Sequence, residues 1–229
     1  MSKIKMLFML LAVAMLTMTS CDYDDIPFPP EHKPQLLMTH ASPDAPAVDL
    51  YVDDLIVAED FTFPNSTRYT SIEQGEHKIT LRKAGEKTIV FETMQTINDD
   101  GYHSFFACDE MADLSALLLA DDFGSPDIDE TMVRFIHLSP NAPPVDLTKA
   151  DGTVIFSSLS FRDASTFKPL PSGIKDYQIR LAGMDNVMLE IDDIKLAPHA
   201  AITIWVKGFV GGENEQALGT EILFNKFVF

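Results

Sequence analysis

The stretch THASPDAPAVDL, residues 39–50, decides how this chain is read, because the chain contains it twice. It returns as IHLSPNAPPVDL at residues 136–147, with His, Ser, Pro, Ala, Pro, Val, Asp and Leu in register. The offset from His40 to His137 is 97 residues. Farther on, QGEHKITLRKAG (74–85) lines up with SGIKDYQIRLAG (172–183) at an offset of 98. Phe63 matches Phe161, Tyr69 matches Phe167, and LLLADDF (117–123) resembles EILFNKF (221–227). Self-similarity at a fixed distance is the first thing to seek, because it dictates architecture. Here it divides the chain into two copies of a unit of about one hundred residues, an ordinary domain size.

Within each copy the dominant hydrophobic period is two. HKITLRK and DYQIRLA alternate apolar with polar, as half-buried strands do. AVDLYVD sets Val48, Leu50 and Val52 against Asp49, Tyr51 and Asp53. TIVFETM and AITIWVK are rich in β-branched and aromatic residues, which suit a pleated surface. Gly, Pro, Asn and Asp clusters separate these runs at short intervals. The pattern predicts seven or eight short strands per copy, and a strand rather than a helix for residues 116–122. The expected fold is all-β: two tandem antiparallel β-sandwiches, immunoglobulin-like or transthyretin-like, each with one wet face. The Cys…Trp…Cys hallmark of antibody domains is missing. The expected boundaries are 35–123 for the first repeat, 124–130 (GSPDIDE) for a polar linker and 131–229 for the second repeat.

The N-terminal end predicts export. Lys3 and Lys5 precede an almost wholly apolar run, residues 6–18, and then Thr19 and Ser20 lead into Cys21. A basic start, a short apolar core and small residues at a cut site make a secretory signal, here residues 1–20. The apolar run is short for a membrane span. Small residues ending at a cysteine resemble the bacterial lipoprotein signal, with Met18 where that pattern prefers Leu. The resemblance implies cleavage before Cys21 and a palmitate-type lipid on its thiol. The tether that follows, residues 21–34, is acidic and carries Pro27, Pro29, Pro30 and Pro34, a composition that favours an extended spacer. Only one other cysteine exists, Cys108 in the apolar run SFFAC, so it is expected to be a small buried hydrophobe.

The motif H-x-S-P-x-A-P-x-V-D-L, followed by a Gly and an alternating strand, resembles the bacterial family catalogued as domain of unknown function 4397. The resemblance runs through both copies. It implies an extracellular or lipid-anchored β-rich domain, often in tandem, and it implies no established activity.

His, Ser and Asp within one short motif are the residue types of a hydrolase. His40 and Ser42 are two apart and share a strand face. Against a Ser–His pair stand three observations. Pro43 forces Ser42 into an extended or turn conformation. No Gly-x-Ser-x-Gly elbow exists to expose a nucleophile. The same set recurs as His137, Ser139 and Asp146, and a fold determinant must appear in every copy whereas a catalytic site need not. The structural reading makes Ser-Pro-Asp and Ser-Pro-Asn turn formers. Asp49 and Asp146 then accept hydrogen bonds from loop N–H groups or from the His of their own copy, and we expect the pairs His40–Asp49 and His137–Asp146.

No zinc spacing and no D-x-D-x-D-G calcium loop is present, so no metal and no cofactor is expected; a weak calcium site in an acidic loop is the remaining alternative. A net charge of −18, more negative still without Lys3 and Lys5, argues against nucleic acid as a partner. Trp205, the only Trp, is expected in the core, with a ligand platform as its alternative role, and Tyr69, Tyr102 and Phe167 are the other aromatics a sugar could stack on. The loop FVGGENEQALG (209–219) has no long counterpart in the first copy, so Phe209 and Glu213 join Trp205 as candidate binding residues.

The sequence therefore predicts a non-catalytic, lipid-anchored cell-envelope protein that binds or scaffolds. It would sit on the outer membrane of a Gram-negative-type bacterium, on the periplasmic or surface face. Its partners would be the membrane, through the lipid on Cys21, and an extracellular glycan or protein. An accessory glycan-binding surface lipoprotein is the first alternative, and a hydrolase using His40 and Ser42 the second.

Overall fold

Each copy folds into eight short strands. The first contributes β1 (Gln35–His40), β2 (Val48–Val52), β3 (Leu55–Phe61), β4 (Thr70–Ser71), β5 (Gly75–Lys83), β6 (Ile89–Ile97), β7 (Tyr102–Cys108) and β8 (Ser115–Ala120). The second contributes β9 (Glu130–His137), β10 (Val145–Lys149), β11 (Val154–Leu159), β12 (Lys168–Pro171), β13 (Gly173–Leu181), β14 (Val187–Leu196), β15 (Ala200–Lys207) and β16 (Gly219–Phe227). The computed structural model describes residues 32–228. The segments expected to be a signal (1–20) and a tether, with Cys21, lie outside the described residues as far as residue 31.

The strands form four sheets of four, ordered β4-β1-β7-β8 and β3-β2-β5-β6 in the first repeat, β12-β9-β15-β16 and β11-β10-β13-β14 in the second. The protein is all-β, and its two repeats have the same topology. One core fills the first sandwich, with Leu36, Met38, Leu50, Ile79, Leu81 and Phe105 at its centre. Another fills the second, around Phe135, Leu147, Tyr177, Ile179, Ile202 and Ile204.

In one respect the sheets depart from the all-antiparallel expectation. β1 runs parallel to β7, and β9 parallel to β15, at the centre of one sheet in each repeat. Parallel strands are at home where both faces are covered, and these are. Leu36 and Met38 face their own sandwich, whereas Leu37 joins Phe106, Ile136, Trp205 and Leu223 in a third core between the repeats. The two central sheets thus lie face to face, and the expectation of one wet face per sheet fails for both. This explains why β1, β7, β9 and β15 are buried along nearly their whole length instead of alternating.

Candidate functional site

The repeated motif ends a central strand, crosses to the other sheet and enters β2 or β10. His40 and Ser42 are 1% and 0% exposed, and His137 and Ser139 are both 0%. The Nε2 of His40 lies 3.2 Å from the Pro46 carbonyl, and the Nε2 of His137 lies 3.1 Å from the Pro143 carbonyl. A carbonyl only accepts, so Nε2 carries the hydrogen and Nδ1 keeps the lone pair. In the second repeat that lone pair accepts from the Ser139 backbone N–H at 3.3 Å. Burial lowers the pKa of both rings, only partly offset by the proline carbonyls, so they stay neutral. The Ser42 and Ser139 hydroxyls are buried without a partner among the described residues. A base whose N–H is bound to its own loop and a nucleophile sealed from solvent do not form a reactive pair.

The expected His40–Asp49 and His137–Asp146 pairs do not form. Asp49 instead clamps two stretches of main chain: its Oδ1 accepts from the Asp60 N–H and its Oδ2 from the Gly85 N–H, both at 3.0 Å. Asp146 repeats this with Ser158 at 2.6 Å and Gly183 at 2.9 Å. Asp60 and Ser158 sit at register breaks of β3 and β11 with φ of 48° and 58°, and Gly85 and Gly183 turn at 71° and 70°. Each of these N–H groups points out of the ladder and needs an acceptor, and the carboxylate two strands wide supplies both. The Asp/Asn of the turn has a parallel duty. Asp44 accepts from the Met111 N–H at 2.8 Å, and Asn141 both accepts from and donates to Val210.

Between the repeats lies a polar network that the sequence reading missed. Arg134, 2% exposed, donates through Nη1 to Asp121 at 2.5 Å, through Nη2 to Ser104 at 3.2 Å and through Nε to Thr203 at 3.2 Å. The second oxygen of Asp121 accepts from the Ser104 hydroxyl at 2.6 Å and the Tyr69 hydroxyl at 2.5 Å. Asn225 accepts from Thr203 at 2.9 Å and donates to Tyr69 at 2.9 Å, so the charges are enclosed by donors and acceptors of both repeats. Register relates the two halves: Ser104 pairs with Leu37 and Leu119, as Thr203 pairs with Arg134 and Leu223. Asp121 and Asn225 follow two residues after those leucines, so the copies contribute equivalent positions. The available signal was Arg134 itself, a lone charge in the apolar run TMVRFIH where the first copy has Leu37.

Trp205 is not a ligand platform. It is 1% exposed and meets Phe63 and Phe106 of the first repeat edge-on, at centroid distances of 6.3 and 6.5 Å. Other ring faces on this seam are covered from within: the Arg134 guanidinium lies 4.6 Å over Phe167, and the Lys226 ammonium 4.1 Å over Tyr102. The 209–219 loop is closed on itself. Phe209 donates to the Gln216 carbonyl, while Gly212 and Leu218 donate back to the Phe209 carbonyl. A Cβ on Gly208 would stand 2.1 Å from the Ala217 oxygen, so that turn requires glycine. Phe209 is half-buried there and Glu213 exposed. The exposed aromatics lie elsewhere: Phe224 and Phe227 on edge strand β16 are 51% and 49% exposed, with centroids 5.1 Å apart at 66°.

Cys108 is buried and free, and burial pushes its thiol up. Among the described residues no three His, Cys, Asp or Glu side chains cluster so as to hold a metal ion.

No curated protein matches this chain. Among solved structures, one that matches is the CBMbc module (family CBM26) of Eubacterium rectale Amy13K in complex with maltoheptaose. Its identity is 12%, it covers 82% of this chain and 95% of that one, and the TM-score of 0.27 is too low to carry an argument about fold or ligand. The family model described as a domain of unknown function, DUF4397, matches residues 34–148, from the start of the first repeat through the motif of the second. That is half of the chain, and the chain belongs to this family.

Proposed function

We propose that this protein is an exported, lipid-anchored module of the cell envelope that binds or scaffolds without catalysis, held to the outer membrane by a lipid on Cys21. The observation that carries the non-catalytic part is the burial of His40, Ser42, His137 and Ser139 in both copies, with each ring bonded to its own loop. The one motif with hydrolase chemistry is thereby committed to folding. Support for anchoring comes from the order of Lys3, the apolar run, Ser20 and Cys21. In this reading repeats 35–123 and 131–229 stand off the membrane as a unit on the proline-rich tether. The test is growth with a radiolabelled fatty acid: label enters the parent and not Cys21→Ser, and equal labelling of both would overturn the anchor. Ser42→Ala should leave any background esterase activity unchanged.

A second reading is favoured by Phe224. Its ring, 51% exposed on edge strand β16, offers an apolar face to the C–H side of a sugar. A glycan array probed with residues 22–229, and again with Phe224→Ala, tests it: a hit lost in the variant supports a glycan, and hits unaffected by it point elsewhere.

A further inference from the structure

The two sandwiches differ at one end. In the first repeat that end is stoppered by His77, which is 6% exposed. Its Nδ1 lies 2.6 Å from Asp53 and its Nε2 2.8 Å from the Glu73 carbonyl, while Asp53 also accepts from the Lys78 N–H at 2.9 Å. Register places Lys175 where His77 stands, Tyr177 where Ile79 stands and Ala150 where Asp53 stands. The stopper is therefore absent from the second repeat. The turn from β10 to β11 is also two residues longer than the turn from β2 to β3, and β14 carries an extra residue where its register with β13 breaks between Lys175 and Tyr177.

A cavity of about 450 Å³ occupies this end. Its floor is Ile155, Leu170 and Tyr177, all under a tenth exposed, and Ile174, 67% exposed, stands at its mouth. Lys149 and Lys175 flank it. Neither lysine forms an ion pair among the described residues, in a chain with twice as many acidic as basic side chains. Tyr177 is 3% exposed, and its hydroxyl has no hydrogen-bond partner among the described residues; it is not fully buried, so it stays accessible from the cavity. Burial alone pushes that hydroxyl up to about 12, so it remains a donor. The two carboxylates at the rim each already accept a main-chain bond: Asp151 from Thr153 at 2.8 Å and Asp176 from Asp193 at 3.0 Å. The cavity is thus apolar below; above, the ammonium groups of Lys149 and Lys175 and the Tyr177 hydroxyl stand with the Asp151 and Asp176 carboxylates, Asp151 interacting electrostatically with Lys149, and a cavity of this size suits a small molecule.

We propose that the open end of the second sandwich binds a small amphipathic carboxylate, with its apolar body on Ile155, Leu170 and Ile174 and its carboxylate between Lys149 and Lys175, within reach of the Tyr177 hydroxyl. Two ammonium groups and a phenol supply donors that a carboxylate accepts, and charge-assisted bonds to carboxylate are the strong ones. The site is independent of the lipid anchor and of Phe224.

Phenylbutyrate is the probe, titrated by calorimetry and followed by amide NMR into residues 22–229, which retain the whole compact unit. Phenylbutanol and phenylbutylamine are its neutral and cationic counterparts. The expected result is saturable binding of phenylbutyrate about tenfold or more tighter than of either analogue, with shifts centred on Lys175 and Tyr177. Lys149→Ala, Lys175→Ala and Tyr177→Phe should each weaken it while melting stays close to the parent. The pair Ala150→Asp with Lys175→His rebuilds the first repeat's stopper and should abolish it. No saturable binding, equal binding of the alcohol or amine, or parent-like affinity in the stoppered variant would overturn the proposal.

Discussion

Replacing Asp146 by Ala tests what the V-D-L part of the motif does. Its carboxylate is 4% exposed and accepts two main-chain N–H groups, from Ser158 at 2.6 Å and Gly183 at 2.9 Å. A hydrogen bond to a charged group contributes ~1.5–3 kcal/mol, and an orphaned buried donor costs ~1–3 kcal/mol. Loss of the side chain strands both donors, one of them on Ser158, already held at a φ of 58°. Some water will enter, so about 3 kcal/mol is the expected net loss. For a unit of this size each kcal/mol moves Tm by ~2–4 °C, so Asp146→Ala should melt about 6–12 °C below the parent. Asp49 makes the same two bonds but is only half-buried, so water replaces it more easily. Asp49→Ala should cost about 1–2 kcal/mol, and Asp146→Asn, which keeps one acceptor, should fall between. Circular dichroism melts and urea unfolding at neutral pH measure all three. If both alanine variants melt with the parent, or if Asp49→Ala is the costlier, the clamp is not what holds the motif in place.

Asp121→Ala leaves Arg134 charged and unpaired between the repeats and should cost about 3–5 kcal/mol, whereas Asp121→Leu with Arg134→Met should recover most of it in a double-mutant cycle; additive losses would contradict the network. Stability should fall on the acid side of about pH 6.5, because unfolded His40 and His137 take up protons there that the buried rings refuse, each at up to about 1.4 kcal/mol per pH unit until its folded-state pKa is reached. His77 acts in the opposite direction. Burial opposes its charge, but the Asp53 carboxylate and the Glu73 carbonyl override burial and raise its pKa, so its contribution is complete below about pH 6.5 and lost as pH rises through the folded value. His77→Gln should flatten the alkaline side of a Tm–pH profile and leave the acid side, and an unchanged profile would refute that assignment. Cys108, buried with its thiol pushed up, should react with a disulfide reagent only at the rate of unfolding, and rapid reaction of the native chain would show the seam to be open.

The duplication, the all-β class and most strands were legible because period-two alternation and turn residues are local signals. The strand from Ser115 to Ala120 followed from its likeness to the last strand of the second copy, not from propensity, since LSALLLA reads equally as a helix. What the sequence hid is how the copies meet. LLMTH, HSFFAC and AITIWVK do not alternate because both their faces are covered, and period alone does not distinguish a strand buried by its own partner sheet from one buried by the other repeat. The His–Asp pairing failed for a related reason. Spacing places two residues near each other, but the choice of partner depends on which N–H groups a bulge and a turn leave unpaired, and those arise only once strands are in register. The open end of the second sandwich was visible only as differences, Lys175 for His77 and Ala150 for Asp53, whose meaning required the first repeat's stopper to be seen in place.

The central claim is that the surface between the repeats is core, so that the two sandwiches stand or fall together. The chain carries its own reporter, because Trp205 is the only Trp and lies on that surface. Equilibrium urea unfolding of residues 22–229, followed in one sample by Trp205 fluorescence and by far-UV circular dichroism, tests it most directly. The structure predicts one transition, with the same midpoint by both probes. A Trp205 signal that reaches its unfolded value while the far-UV signal of both sandwiches persists would show that the repeats separate before they unfold, and would contradict the claim.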